Sequence, residues 1–450
     1  MSNNFDTQST IVAITTPIGT GGVAIVRLSG ASAIKIADKL FISRGKKPSE
    51  FLARELVLGK FEYHGFFEQC MCVVFVAPNS FTGENVVEFQ CHGGIKIAEK
   101  ILSACLESGA RMAQNGEFSL RAFLNGKLSL SEAEGMIDMI NAETDAELSA
   151  GYKLMSGKLT KKVREFEASL VDCISELEVS FDYPEEDIEY SSREDIKKRL
   201  NKLKIEIGAL IDSYQTGNII KNGINVVICG KPNVGKSSLL NALLKKDKAI
   251  VTSVAGTTRD SIEDTFEING VKVNIVDTAG IRETTDKVEK IGVQNAKKKL
   301  AGADLVLFVV DGSTPLDAED EEIYRKVKKQ KHLIVVNKAD KKQAVSIDSA
   351  IVISSKKGEN LKALTDAIYE KTVKGEIYAS NLVVTNARHV ECLKRAQKSI
   401  CHALAEIDSQ TLDLISIDLN EAYTAIGEIT GDTSNEKILD SIFSKFCLGK

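Results

Sequence analysis

The stretch Gly230-Lys231-Pro232-Asn233-Val234-Gly235-Lys236-Ser237 has the spacing of a phosphate-binding loop, G-x-x-x-x-G-K-[ST]. Its glycines let backbone N–H groups of Asn233, Val234 and Gly235 wrap phosphate oxygens, and the helix that opens at Ser238 adds its positive dipole end. Lys236 in such a loop bridges the β- and γ-phosphates, and the Ser237 hydroxyl is a ligand for Mg²⁺. Downstream, Asp277-Thr278-Ala279-Gly280 offers a carboxylate for the magnesium shell and a backbone N–H for the γ-phosphate. Asn337-Lys338-Ala339-Asp340 supplies a second carboxylate. Asp340 can accept both the N1–H and the exocyclic amine of guanine, an edge adenine lacks, so it would select GTP over ATP. Ser354-Ser355-Lys356 follows and would close over the base.

Two further details concern hydrolysis. After Gly280 stands Ile281, an apolar side chain that cannot orient water, and the acidic segment 282–289 lies next to it. The loop Thr252-Ser253-Val254-Ala255-Gly256-Thr257-Thr258 is rich in hydroxyls and small residues. It reads either as a plain switch loop or as a source of carbonyls for a monovalent cation, which would do the electrostatic work of an arginine finger.

These motifs need strands to carry them. Short β-branched runs at 224–229, 271–276, 305–310, 333–336 and 350–353 end where the motifs begin, with helical segments between several of them. That alternation predicts a parallel sheet with crossover helices, binding ligand at the strands' carboxyl ends. Upstream, residues 1–127 mix short strands (23–28, 73–77, 86–89) with a helix over 95–108 and read as an α+β domain. Leu148, Tyr152, Met155, Leu159, Val163, Phe166, Leu170, Ile174, Leu177 and Phe181 recur at steps of three and four, predicting one apolar stripe on one long helix. A Lys-rich helix over 193–215 follows, and the chain turns helical again over 386–407 and 418–446. The expected division is 1–127 (α+β), 128–222 (helical), 223–376 (P-loop GTPase, α/β) and 377–450 (helical), the α/β domain being inserted into a helical bundle.

The 450 residues suit several domains, and a formal net charge of −5 supplies no global field for RNA or a membrane. The nine cysteines form no CxxC pair and no zinc spacing, which suits a reducing compartment. The polar start MSNNFDTQST is unlike a signal peptide, and no apolar run could span a bilayer, so a cytoplasmic protein is expected.

The guanine-nucleotide motifs resemble the small GTPase superfamily, and both ends of the chain narrow the resemblance. The chain closes Phe446-Cys447-Leu448-Gly449-Lys450, a C-x-G-K ending. The first part holds Pro78-Asn79-Ser80-Phe81-Thr82-Gly83-Glu84, Cys91-His92-Gly93-Gly94, Gly116-Glu117-Phe118-Ser119 and Arg121-Ala122-Phe123-Leu124-Asn125-Gly126-Lys127. With GTTRD and DTAGIRE, these resemble the MnmE (TrmE) family of tRNA-modification GTPases over the whole chain. Two small departures are Cys91, where the family usually has Gly, and Asn115, where it often has Pro.

The resemblance implies a K⁺-stimulated GTPase that forms a homodimer and a heterotetramer with a flavoprotein partner, MnmG (GidA). Together they would modify C5 of the wobble uridine of certain tRNAs, the FAD and NADH residing on the partner. A 5,10-methylene- or 5-formyl-tetrahydrofolate would sit on the N-terminal domain, its contacts falling on Arg27, Glu88, Lys127 and Lys450. Potassium would fall on Asn233, Thr252, Val254 and Thr257, and magnesium on Ser237 and Thr258. Glu289 would orient the hydrolytic water, and Cys447 would have a functional role. The alternative is a ribosome-assembly or signalling G-protein switch, which would need no C-x-G-K terminus.

Overall fold

The computed structural model describes residues 8–182, 193–246, 264–277, 302–373, 382–408 and 412–450. They form two compact units: Met1–Ile137 with Leu154–Tyr190 and Gln410–Lys450, and Asp138–Lys153 with Ser191–Ser409.

The first unit is built on seven strands, β1 (Ile11–Ile14), β2 (Val23–Ser29), β3 (Phe41–Ile42), β4 (Leu56–Tyr63), β5 (Phe66–Phe75), β6 (Val86–His92) and β7 (Arg111–Met112). They lie in the order β3-β4-β5-β6-β2-β1-β7. All pairs are antiparallel except β1 with β7. Inward residues such as Val26, Leu28, Phe61, Cys72, Val87 and Phe89 alternate along the strands and pack with the helices Ala33–Leu40 and Ile95–Glu107. At the β1–β7 edge Phe118, from the helix Glu117–Leu124, packs with Ile11, Ala13 and Ala113.

The expected single stripe is two helices. Asp145–Met155 ends before Ser156-Gly157, and Lys158–Asp182 begins after it. Gly157 sits at φ +77°, a conformation that ends a helix at low cost only for glycine. In the second helix Leu159, Val163, Phe166, Leu170, Ile174 and Leu177 are buried as the spacing required, and that helix packs against Leu412–Thr430. In the first, Leu148 and Tyr152 are 44% and 58% exposed, while Ala146 and Leu154 are buried. The expected helix over 418–446 is likewise broken, at Gly431 (φ +100°), into Leu412–Thr430 and Glu436–Phe443.

The second unit holds six strands, β8 (Ile224–Cys229), β9 (Asp264–Ile268), β10 (Val271–Asp277), β11 (Leu305–Asp311), β12 (His332–Asn337) and β13 (Ile351–Val352). Their order is β13-β12-β11-β8-β10-β9, parallel except for the β9–β10 hairpin. That hairpin turns through Asn269 and Gly270, both at positive φ, as a tight hairpin turn requires. β8 and β11 are buried almost throughout, as central parallel strands are. The helix Lys236–Lys246 places Leu239 and Leu243 on the core formed with Ile228, Ile275 and Val309. The helices Arg193–Asn222 and Ala387–Glu406 pack on one another in the same unit. Among the described residues no helix is long and apolar enough to cross a membrane.

Candidate functional site

The phosphate loop leaves the carboxyl end of β8, between β10 and β11 in the sheet order. Its backbone is possible only with small or turn-forming residues. Gly230 lies at φ +148°, where a Cβ would come within 2.2 Å of the Val309 carbonyl oxygen. Asn233 adopts φ +64°. Gly235 lies at φ +98°, and a Cβ there would meet Asn337 Nδ2 at 2.3 Å. Lys236 is buried, its Nζ donating to the carbonyls of Gly230 (2.8 Å) and Lys231 (2.7 Å). The ammonium therefore lies in the mouth of the loop, where phosphate oxygens would replace those carbonyls. Ser237 and Ser238 are exposed on the first turn of the helix, the position that fits a hydroxyl ligand for Mg²⁺.

The guanine-reading segment is joined to this loop directly. Asn337 is buried; its Nδ2 donates to the Val234 carbonyl (2.9 Å) and its Oδ1 accepts from the N–H and hydroxyl of Ser355. Lys338 donates to the Asn233 carbonyl (2.8 Å) and to Asp311 Oδ2 (2.5 Å). Asp340 Oδ1 accepts from the Ser354 hydroxyl at 2.7 Å, and this bond holds the carboxylate below its ordinary pKa, ready to accept from a base edge. Lys356 is exposed beside it. One amide thus ties Val234, Asn337 and Ser355 together, so phosphate and base loops form one rigid cradle. Asp277 ends β10, paired with Ile228 of β8. Thr252, Ser253, Val254, Ala255, Gly256, Thr257, Thr258, Thr278, Ala279, Gly280, Ile281 and Glu289 lie outside the described residues.

In the first unit, Arg27 and Glu88 are cross-strand partners on β2 and β6 and form an ion pair at 2.7 Å. The Arg27 guanidinium also lies over the Phe118 ring, 5.7 Å from its centroid. The C-terminal residues reach the same corner. A Cβ on Gly449 (φ +94°) would come within 2.7 Å of the Ile14 carbonyl oxygen, so only glycine lets the tail lie this close. Burial, opposed by Cys447 and reinforced by Arg27, presses the Lys450 ammonium below its ordinary pKa. A half-buried ammonium beside a guanidinium is a place where an anionic group would be favoured, so these residues fit the carboxylates of a folate. Lys127 is exposed, its stem alongside Gly83. Cys447 is the exposed cysteine of the chain; Cys70, Cys72, Cys91, Cys105, Cys173, Cys229 and Cys392 are buried and Cys401 half-buried. Burial pushes the thiols of Cys91 and Cys70 up to about 11 and about 12.

Sequence reasoning missed the polar network under this corner. Arg121 is 1% exposed and pairs with Glu84 (3.1 Å) and with Glu117 (2.9 Å), itself 1% exposed. Arg111 meets Glu117 at 2.5 Å, Ser29 donates to Glu84 at 2.6 Å, and Asn125 donates to the Thr82 carbonyl at 2.7 Å. The motifs 78–84 and 116–127 are therefore fastened to each other by buried charge. Burial alone would raise the Glu117 carboxyl, but the Arg111 hydrogen bond, the Gln114 N–H and Arg121 outweigh it and hold it below its ordinary value. Also missed were the ion pairs of Lys231 with Asp320 and of Lys338 with Asp311. The one signal for Asp311 was a carboxylate at the last position of an otherwise apolar strand.

Two family models match the chain, the GTP-binding protein TrmE N-terminus over residues 10–127 and the MnmE helical domain over residues 130–447. Proteins named tRNA modification GTPase MnmE are similar over nearly the full length. That of Clostridioides difficile is 42% identical over 98% of this chain and 99% of its own, and that of Acetivibrio thermocellus is 42% identical with the same coverage. A solved structure of Era from Aquifex aeolicus is 30% identical, covering 39% of this chain and 66% of that one, with a TM-score of 0.28.

Proposed function

The chain belongs to the MnmE family of tRNA modification GTPases, and from that premise we propose that it is a K⁺-stimulated GTPase serving wobble-uridine modification. In this reading it works in the cytoplasm as a homodimer and pairs with a flavoprotein, MnmG (GidA), that carries FAD and NADH. Together they act on C5 of uridine 34 of certain tRNAs. The domain limits are 1–127, 128–222, 223–376 and 377–450.

The observation that carries the reading is that one chain holds both a guanine-nucleotide cradle and a cationic corner made from its two ends, Arg27 with Glu88 and Lys450. The cradle residues bind and orient. Lys236 and the loop N–H groups would receive the phosphates, Ser237 with Thr258 would hold Mg²⁺, and Asp340 would read guanine. Asn233, Thr252, Val254 and Thr257 would hold K⁺, and Glu289 would orient water in place of Ile281. At the other site Arg27, Lys127 and Lys450 would hold the carboxylates of a reduced folate, with Glu88 on the donor edge of its ring and Cys447 at the rim. A bound folate supplies the one-carbon unit.

The decisive experiment is nucleoside analysis by mass spectrometry of tRNA from cells lacking the gene. The C5 modification at position 34 should vanish; normal nucleosides would reject the reading. GTP hydrolysis should be faster in K⁺ than in Na⁺ at equal ionic strength, and equal rates would remove the potassium assignment.

A further inference from the structure

The phosphate loop's second residue, Lys231, offers its carbonyl to Lys236, while its ammonium turns the other way and is held by two carboxylates. Nζ lies 2.7 Å from Asp317 Oδ2 and 2.7 Å from Asp320 Oδ2. Both acids belong to the start of the helix Ala318–Val327. Asp317 is its N-cap, accepting from the N–H groups of Glu319 (3.0 Å) and Asp320 (3.2 Å), and Asp320 Oδ2 accepts in return from the Asp317 N–H (3.2 Å). This is a capping box, a device that ordinarily needs no outside cation. Here Lys231 is inserted into it. Asp320 is 3% exposed, and its Oδ1 has no hydrogen-bond partner, so Lys231 provides the countercharge for a buried carboxylate.

The same connection, residues 311–320, grips the other half of the cradle. Asp311 takes the Lys338 ammonium that also reaches the Asn233 carbonyl. The Gly312 N–H donates to the Asn337 carbonyl (2.9 Å) and its carbonyl accepts from Ala344 N–H (2.7 Å). A Cβ on Gly312 would come within 3.0 Å of that Asn337 oxygen and 2.2 Å of Gln343 Oε1, so the turn is packed against the guanine loop. One ten-residue connection therefore holds the phosphate loop at two points, at Lys231 and, through Lys338, at Asn233. Asn233, the non-glycine residue of the loop at φ +64°, is the one that is costly to hold in place without such anchors, and its carbonyl is the one Lys338 grips.

We propose that residues 311–320 are a brace that presets the phosphate loop for guanine nucleotide, with Asp320, acting through Lys231, as a positioning residue. Both side chains are turned to one another and to Asp317, and so would act on the nucleotide only through the loop. Their removal lets the loop sample geometries that bind phosphate poorly, so the loss appears in nucleotide affinity and in the rate of release.

The test uses the full chain and a methylanthraniloyl-labelled GDP titrated in Na⁺ buffer well below melting, so the potassium assignment plays no part. Lys231→Met and Asp320→Asn should each weaken binding about tenfold, by faster dissociation. Because both break one contact, the double variant should also lose about tenfold and not about a hundredfold. Lys231→Arg, which keeps the cation, should recover most of the affinity. If Asp320→Asn does not fold, the contrast between Lys231→Met and Lys231→Arg decides. Single variants within twofold of the parent, or losses that multiply in the double, overturn the proposal. So does a lower melting temperature with unchanged affinity, which would make the contact one of stability alone.

Discussion

Replacing Asp340 by Asn tests how the base is read. The Asp340 carboxylate is fixed by the Ser354 hydroxyl, and the same bond holds its pKa below the ordinary value. Guanine presents two donors to it, N1–H and the amine, and each would form a charge-assisted hydrogen bond. An asparagine that keeps its oxygen toward Ser354 turns its NH₂ toward those donors. One bond is then lost, the other loses its charge, and a donor faces a donor. Losses of this kind in a site built to hydrogen-bond its ligand amount to about a hundred- to ten-thousand-fold in affinity. Xanthine carries an oxygen where guanine carries the amine, so the same NH₂ would donate to it and recover much of the loss. The assay is displacement of labelled GDP by unlabelled guanosine and xanthosine diphosphates, for the parent and for Asp340→Asn. The parent should prefer the guanosine form and the variant the xanthosine form. A variant that still binds GDP within threefold of the parent refutes the assignment of Asp340.

Two further outcomes concern the first unit. Burial, followed by the nearby Asp432, pushes the Glu167 carboxyl up to about 6, and its Oε1, close under Gly427, has no hydrogen-bond partner. A raised carboxyl pKa disfavours the folded state once the group ionises. The cost is absent below the unfolded value of about 4.3 and complete above about 6. Discounted by half for solvent contact, it is about 1 kcal/mol. Glu167→Gln should therefore stabilise the protein by about that much at pH 7.5 and not at pH 4 in urea denaturation; an equal gain at both would rule out ionisation as the cause. At the tail, Gly449→Ala keeps every charged group but puts a methyl 2.7 Å from the Ile14 carbonyl oxygen. Calorimetric titration with 5-formyl-tetrahydrofolate should show at least about tenfold weaker binding, as should deletion of Lys450. Unchanged affinity in Gly449→Ala would mean that the position of the tail does not matter.

What could be read from the sequence divides along a physical line. Each strand of the second unit's parallel sheet that was expected, from 224–229 to 350–353, is present within two residues at either end, because short runs rich in β-branched residues, too short for a helix and alternating with helical segments, suit strands of a covered parallel sheet. The long stripe failed at Gly157 because periodicity records which side of a helix is apolar, not whether the helix continues. The steps of three and four cross the break unchanged, and Leu148 and Tyr152 matched the pattern while remaining exposed. The same line runs through the site. Gly230, Gly235 and Asn233 were conspicuous because their backbone conformations exclude most other residues, so their chemistry is written into residue type. Lys231, Asp311 and Asp320 look like ordinary charges, since an ion pair leaves no mark on local sequence. Lys231 and Asp317 are separated by 86 positions. Residues that must accommodate a ligand's shape are thus legible one at a time, whereas residues that hold those residues become legible only in pairs, once the fold brings them together. The buried lattice of Arg121, Glu84 and Glu117 follows the same rule. Its members stand inside the motifs that marked the family, yet as a group they fasten one motif to another, with the buried Arg121 guanidinium shared between Glu84 and Glu117.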